Sequence, residues 1–178
     1  LSFAGFFDAH QVNQSVYESL PHLEDEMTYI WQARLASSGK LVTESPPCPG
    51  CFVVPFVIDQ NGIRFGKYPP AWPALLSIGV RMKVHTLVNP LLASLSVWLT
   101  FLLAKRLTNP WVGILSQILL IVSPIFLINS GSLLAHPFGL FLSLGFSLAW
   151  LDLTSPNSNL PVWVHTLTAG FCLGLLML

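Results

Sequence analysis

The chain has 178 residues, of which 53% are hydrophobic and 9% charged, and its eight basic and eight acidic residues leave a formal net charge of zero. Charge that sparse excludes an ordinary soluble domain, and the neutral balance excludes a nucleic-acid partner and a polybasic membrane-surface patch. An integral membrane protein remains, and four apolar runs in succession disfavour the rival, the buried core helices of a large soluble protein.

Residues 1–7 lack the basic segment and the small-residue cleavage site of a signal peptide. They read as the tail of a preceding transmembrane helix, in a chain expected to be a fragment because it starts on Leu1 and ends within an apolar run. Residues 8–85 hold most of the charges and many prolines, and are expected to form a long first outer loop carrying interfacial helices. Within it, residues 25–38 read as a helix with Asp25 as its cap, Gly39 behind its end, and Met27, Trp31 and Leu35 on one stripe. Residues 52–58 are apolar and β-prone and run into the turn signal Asp59-Gln60-Asn61-Gly62. Residues 64–73 combine Arg64 and Lys67 with three aromatic residues and three prolines, a stiff, cation-bearing stretch suited to an interface.

From residue 86 the chain is nearly continuous apolar sequence. Spans are expected at about 86–104, 111–128, 137–153 and 161–178, close to the length that crosses a hydrocarbon core. Pro90 falls in a first turn, where its missing N–H costs little. Asn109-Pro110 breaks the chain, and Pro124 is expected to kink the second span near its end. Residues 129–132 read as a turn, His136 as a cap ahead of Pro137, and residues 154–159 as a polar loop. The fold class is therefore all-α, a polytopic transmembrane helical bundle. Lys105 and Arg106, in a short loop, put that side in the cytoplasm, so the acidic segment belongs outside it, at a plasma or inner membrane.

Glu24, Asp25 and Glu26 are the first candidates for chemistry. Acids suit a helix start, which is their plain reading. The functional reading is a general base, with the second carboxylate positioning a substrate or metal and Tyr29, one turn on, orienting the first. Arg64 and Lys67 read either as cations reaching for the headgroup level or as partners of an anionic phosphate. His136 stands at a span end and is a weaker candidate, with a structural role beside the functional one. Cys48 and Cys51 could form a local disulfide, supply half of a zinc site or remain inert thiols. No second pair supports zinc held by cysteines alone. Asn13-Gln14-Ser15 fits a glycosylation sequon. The inner parts of the spans hold no acid or base, which disfavours an ion-coupled transporter.

The order of Asp25-Glu26-Met27-Thr28-Tyr29, then Arg64-Phe65-Gly66-Lys67-Tyr68-Pro69-Pro70, then Ala104-Lys105-Arg106-Leu107, resembles the multi-spanning GT-C glycosyltransferases. The resemblance is greatest to the protein O-mannosyltransferase and aminoarabinose-transferase branch, the family 39 glycosyltransferases, and covers roughly residues 21–153. It implies transfer of a sugar from a polyprenyl- or dolichyl-phosphate donor to a hydroxyl of a protein, lipid or glycan, with inversion, at the outer membrane face. It implies Asp25 and Glu26 as the acidic pair, with Asp25 the base, and Lys67, with Arg64 beside it, near the donor phosphate. Relatives often carry an Asp near the position of His136, so a second acidic role has no match here. The expected partners are the bilayer, the lipid-linked donor and the hydroxyl acceptor. No cofactor is assigned, and a divalent metal is left open. A non-catalytic lipid-phosphate-binding membrane protein and a transporter of lipid-linked sugars are the alternatives.

Overall fold

The computed structural model describes residues 1–155 and 161–178, so the part of the expected loop from Pro156 onward lies outside the described residues. The described part is mostly helical. Helix α1 spans Ser2–Ser15 and α2 spans Glu24–Ser37. Strands β1 (Thr43–Glu44), β2 (Val57–Gln60) and β3 (Ile63–Gly66) follow, then α3 (Ala71–Arg81). The apolar half contains α4 (Val88–Leu107), α5 (Pro110–Ile121), α6 (Pro124–Gly131), α7 (His136–Leu153) and α8 (Val162–Met177).

The first helix passes through the boundary expected after residue 7 and continues to Ser15. Its packing explains the continuity. Gly5, Ala9 and Asn13 are four residues apart and share the buried face. A side chain at Gly5 would meet Val97 of α4 at 3.0 Å, so the small residue allows the close approach. Asn13 is 2% exposed and its amide donates to the Gly131 carbonyl at 2.7 Å, which makes the sequon at Asn13 a packing element rather than a glycan acceptor.

The second helix begins one residue earlier than expected, with Leu23 at the cap position, so Asp25 is inside the first turn and does not cap it. The buried face carries Glu26, Ile30 and Ala33, whereas Met27, on the expected stripe, is exposed. A helix that packs against α3 buries what faces α3, and single-sequence periodicity does not say which of two mixed faces that is. Gly39, at φ 76°, ends the helix, and the Lys40 N–H returns to the Leu35 carbonyl at 3.1 Å.

The all-α expectation misses a three-stranded antiparallel sheet of order β1-β3-β2. Asn61 and Gly62, both at positive φ, make the tight turn between β2 and β3, with Gln60 opposite Ile63. The sheet is small enough to hide in sequence, since β1 is only two residues long.

Two apolar cores meet along α4. One joins Ile30 and Ala33 of α2, Trp72 and Leu76 of α3, Leu92 of α4, Phe138 and Leu142 of α7 and Cys172 of α8. The other joins Ala9 of α1, Ala93 and Val97 of α4, Ile121 of α5 and Phe126 of α6. The outer faces are apolar as well: Phe3, Trp111, Ile125 and Phe171 are largely exposed. Helices apolar on both faces suit a lipid surround better than water.

Residues His85–Leu107 form one continuous helix, 23 residues long with mean hydropathy 1.8, long and apolar enough to cross a membrane. The second expected span is broken. Asn109 caps α5 by accepting from the Val112 N–H at 3.1 Å, and the helix stops ahead of Pro124, where α6 sets off at 63°. Together these two pieces make a second candidate crossing, and α8 is apolar but shorter, at 16 residues. His136 is the first residue of α7 rather than its cap, which is Ala135.

Charged groups gather at the two ends of the bundle. At one end Arg106 bonds Ser155 at 2.7 Å and approaches Asp152 at 3.5 Å. At the other, the start of α4 is tied to the segment between α6 and α7, because the Asn89 amide donates to the carbonyls of Ser132 and Leu134. The acidic start of α2 lies at this second end.

Candidate active site

Glu26 explains how the acidic segment is placed. Its Oε2 accepts from the backbone N–H groups of His22 and Leu23 at 2.8 and 2.9 Å, closing the first turn of α2. Its Oε1 accepts from the Leu133 N–H at 2.6 Å, fastening that turn to the segment before α7. The carboxylate is 1% exposed and both oxygens are engaged. Glu26, expected as the second catalytic acid, is engaged here as an anchor between α2 and the segment before α7.

Asp25, its neighbour, points elsewhere. Its Oδ1 accepts a short hydrogen bond from the Tyr68 hydroxyl, and among the described residues Oδ2 has no hydrogen-bond partner. Tyr68 packs its ring against Tyr29 at 4.8 Å and edge-on to Phe56 at 5.8 Å. The Gln32 amide donates to the Tyr68 carbonyl at 2.9 Å, and Gly66 leaves room for that side chain, because a Cβ there would meet Gln32 at 2.4 Å. Burial pushes the Tyr68 phenol well above its ordinary value, and its bond to Asp25 and the nearby negative charge push it further. Tyr29 is raised as well, by burial first and by the negative charge of Asp25 second. Both phenols stay protonated at neutral pH and remain donors.

Lys67 is exposed, with its ammonium 4.4 Å from the Phe56 ring centre and 5.4 Å from that of Tyr68. A cation over aromatic faces is held in place without being neutralised. The backbone beneath is fixed as well, since the Lys67 N–H donates to the Phe56 carbonyl at 2.9 Å. Thr28 donates to the Pro55 carbonyl, binding the same loop to α2.

Asp25, Tyr29 and Lys67 are thus gathered around Tyr68, a residue that sequence reading did not single out as part of the site. The signal was its position, directly between Lys67 and the two prolines. Arg64 and His136 do not join them. Arg64 is 7% exposed and makes a bidentate pair with Asp59, at 2.9 Å from Nε and 2.7 Å from a terminal nitrogen. The hydrogen bonds from Arg64 hold the Asp59 carboxyl below the usual carboxylate range. Arg64, expected near the donor phosphate, here braces the β2–β3 hairpin through Asp59. His136 is exposed on a separate groove beside Phe126 and Ser130 of α6, and makes no hydrogen bond to the acids among the described residues. Cys48 and Cys51 are joined as a disulfide in the loop before β2. Among the described residues no three His, Cys, Asp or Glu side chains are grouped to hold a metal ion.

An apolar groove leads away from the site. It starts at Tyr29, Pro69 and Trp72, where it holds about 230 Å³, and shares Ala71, Phe138 and Leu175 with a larger groove of about 640 Å³ between α3, α4, α7 and α8.

Residues 74–177, from α3 to α8, match the family described as oligosaccharyl transferase STT3, N-terminal. The chain belongs to this family. It is a glycosyltransferase family of the GT-C type, and its members are integral membrane proteins. The match supports the GT-C reading of the STT3-like chain without singling out the family 39 branch. It begins after Asp25, Tyr29 and Lys67, so the cluster around Tyr68 rests on the geometry above. No curated protein and no solved structure matches the chain.

Proposed function

We propose that this chain carries the donor site of a membrane glycosyltransferase that moves a sugar from a polyprenyl- or dolichyl-phosphate carrier to a hydroxyl at the extracytoplasmic face. The observation that carries the reading is the meeting of Asp25 and Lys67 on one tyrosine, an acid and a cation held close without neutralising each other. The acceptor oxygen attacks the anomeric carbon and its proton passes to the free oxygen of Asp25. The bond from the anomeric carbon to the phosphate oxygen breaks on the opposite face, which inverts the centre. The electron pair leaves with the lipid phosphate, where the ammonium of Lys67 meets the growing charge. The groove from Tyr29 toward α4 and α8 offers apolar walls to a lipid chain beside that phosphate.

The family match favours a second reading of the same site, in which the sugar on the carrier is an oligosaccharide. Membranes holding the protein, supplied in turn with radiolabelled polyprenyl-phosphate mannose, polyprenyl-phosphate glucose and a lipid-linked oligosaccharide, separate the two. Release of label from a single-sugar donor onto a hydroxyl supports the first reading. Release only from the oligosaccharide donor replaces it with the second. Label that crosses the membrane still attached to lipid refutes both in favour of transport.

A further inference from the structure

Tyr68 does more in this structure than its place in a proline-rich stretch requires. Three restraints fix it: the ring of Tyr29 on one side, the edge contact with Phe56 on another, and the Gln32 amide on its carbonyl. Pro69 and Pro70 follow it directly and limit the backbone. So held, the side chain has two ends with different neighbours. The hydroxyl donates to Asp25 Oδ1, across 43 residues of sequence. The ring face lies 5.4 Å from the Lys67 ammonium. A phenylalanine would serve the packing alone, so the hydroxyl calls for a separate account. A donor on one carboxylate oxygen fixes the rotation of the carboxylate and leaves the other oxygen to take a proton. A ring beside the ammonium restrains the lysine without neutralising its charge.

We propose that Tyr68 is a positioning residue acting on both halves of the transfer, its hydroxyl orienting Asp25 for proton abstraction and its ring holding Lys67 at the leaving phosphate. This rests on Asp25 as the base and Lys67 as the phosphate partner. The two ends separate by substitution. Tyr68→Phe keeps the ring and removes the hydroxyl, so kcat falls roughly tenfold to a hundredfold, as for loss of a hydrogen bond to a charged group, while the donor KM holds. Tyr68→Ala removes the ring too, so the donor KM also rises, by about two- to fivefold, the scale of an exposed cation–π contact. A purely structural residue would instead lower the amount of folded protein and leave the kinetics of the folded fraction intact.

The experiment measures kcat and donor KM in membranes normalised for folded protein, with whichever radiolabelled polyprenyl-phosphate sugar the unsubstituted chain consumes, mannose first. Variants are Tyr68→Phe, Tyr68→Ala, Asp25→Asn, and Tyr68→Phe combined with Asp25→Asn. The expected result is the kcat and KM split above, with no further loss when Tyr68→Phe is added to Asp25→Asn. If Asp25→Asn is inactive and Tyr68→Phe is fully active, the Tyr68 inference fails and the base assignment survives. If Asp25→Asn is fully active, or no donor is consumed, the reading beneath it fails and the inference falls with it. An ultraviolet difference titration between the purified protein and Tyr68→Phe checks the contact without turnover. The groups facing the phenol are Asp25, Glu24, Tyr29 and Lys67. Ionisation above the ordinary tyrosine range that drops in Asp25→Asn is the expected outcome. An ordinary Tyr68 value in both the parent and Asp25→Asn overturns the proposal whatever the kinetics.

Discussion

Arg64 and Lys67 are three residues apart, and each is matched with an aspartate in a different way. Arg64 meets Asp59 directly, through three hydrogen bonds of 2.7 to 3.1 Å within one hairpin. Lys67 and Asp25 come from elements far apart in sequence and both touch Tyr68, one at its ring and one at its hydroxyl. A direct pair satisfies its charges on each other and supports the hairpin. A pair mediated by a tyrosine leaves, among the described residues, one carboxylate oxygen without a hydrogen bond and the ammonium exposed. The same contrast divides the adjacent acids of α2, because Glu26 has both oxygens bonded to backbone and Asp25 only one to a side chain.

Substitutions sharpen this contrast, beginning with the largest effect. Asp25→Asn lowers sugar transfer by about a hundredfold to ten-thousandfold, the usual contribution of a general base, with unchanged thermal unfolding in detergent. Glu26→Ala does the reverse. It strands the buried Leu133 N–H, removes two bonds at the start of α2, and lowers folding stability by about 3 kcal/mol, read from thermal or denaturant unfolding. A Glu26→Ala protein as stable as the parent would remove the distinction between the two acids. Lys67→Gln raises the donor KM about tenfold, for loss of a charge-assisted contact to phosphate, and leaves unfolding unchanged.

The smallest effect belongs to the hairpin. Its aspartate has a lowered value in the fold, so the pair's contribution is fully present above the unfolded carboxylate value. It is lost as pH falls through the folded value of Asp59. Proteolysis of the 45–66 segment should therefore quicken at acid pH in the parent, whereas Asp59→Asn should be cut equally fast at both pH values. Transfer activity in Asp59→Asn should stay within a factor of two of the parent.

Much of the chain's punctuation was legible because it is local chemistry. Pro90 is in a first turn, Asn109 caps α5 ahead of Pro110, Gly39 closes α2 at positive φ, and Asn61-Gly62 makes the hairpin turn. Asp25 and Lys67 were singled out from residue type and order, and the fold brings both to Tyr68. What escaped depends on partners distant in sequence. Glu26 is tied to Leu133 across 107 residues and Tyr68 to Asp25 across 43. The buried face of α2 is decided by α3, and Arg64 is held by Asp59 on the paired strand. Pro124 announced a kink, but the 63° break depends on how α6 packs beneath α1 and α4.

The most direct test follows a radiolabelled polyprenyl-phosphate sugar in membranes holding the parent protein or its Asp25→Asn variant, scoring label bound and label transferred in the same samples. The account predicts equal donor binding, with transfer in the parent and almost none in the variant. Equal transfer by both proteins would contradict it.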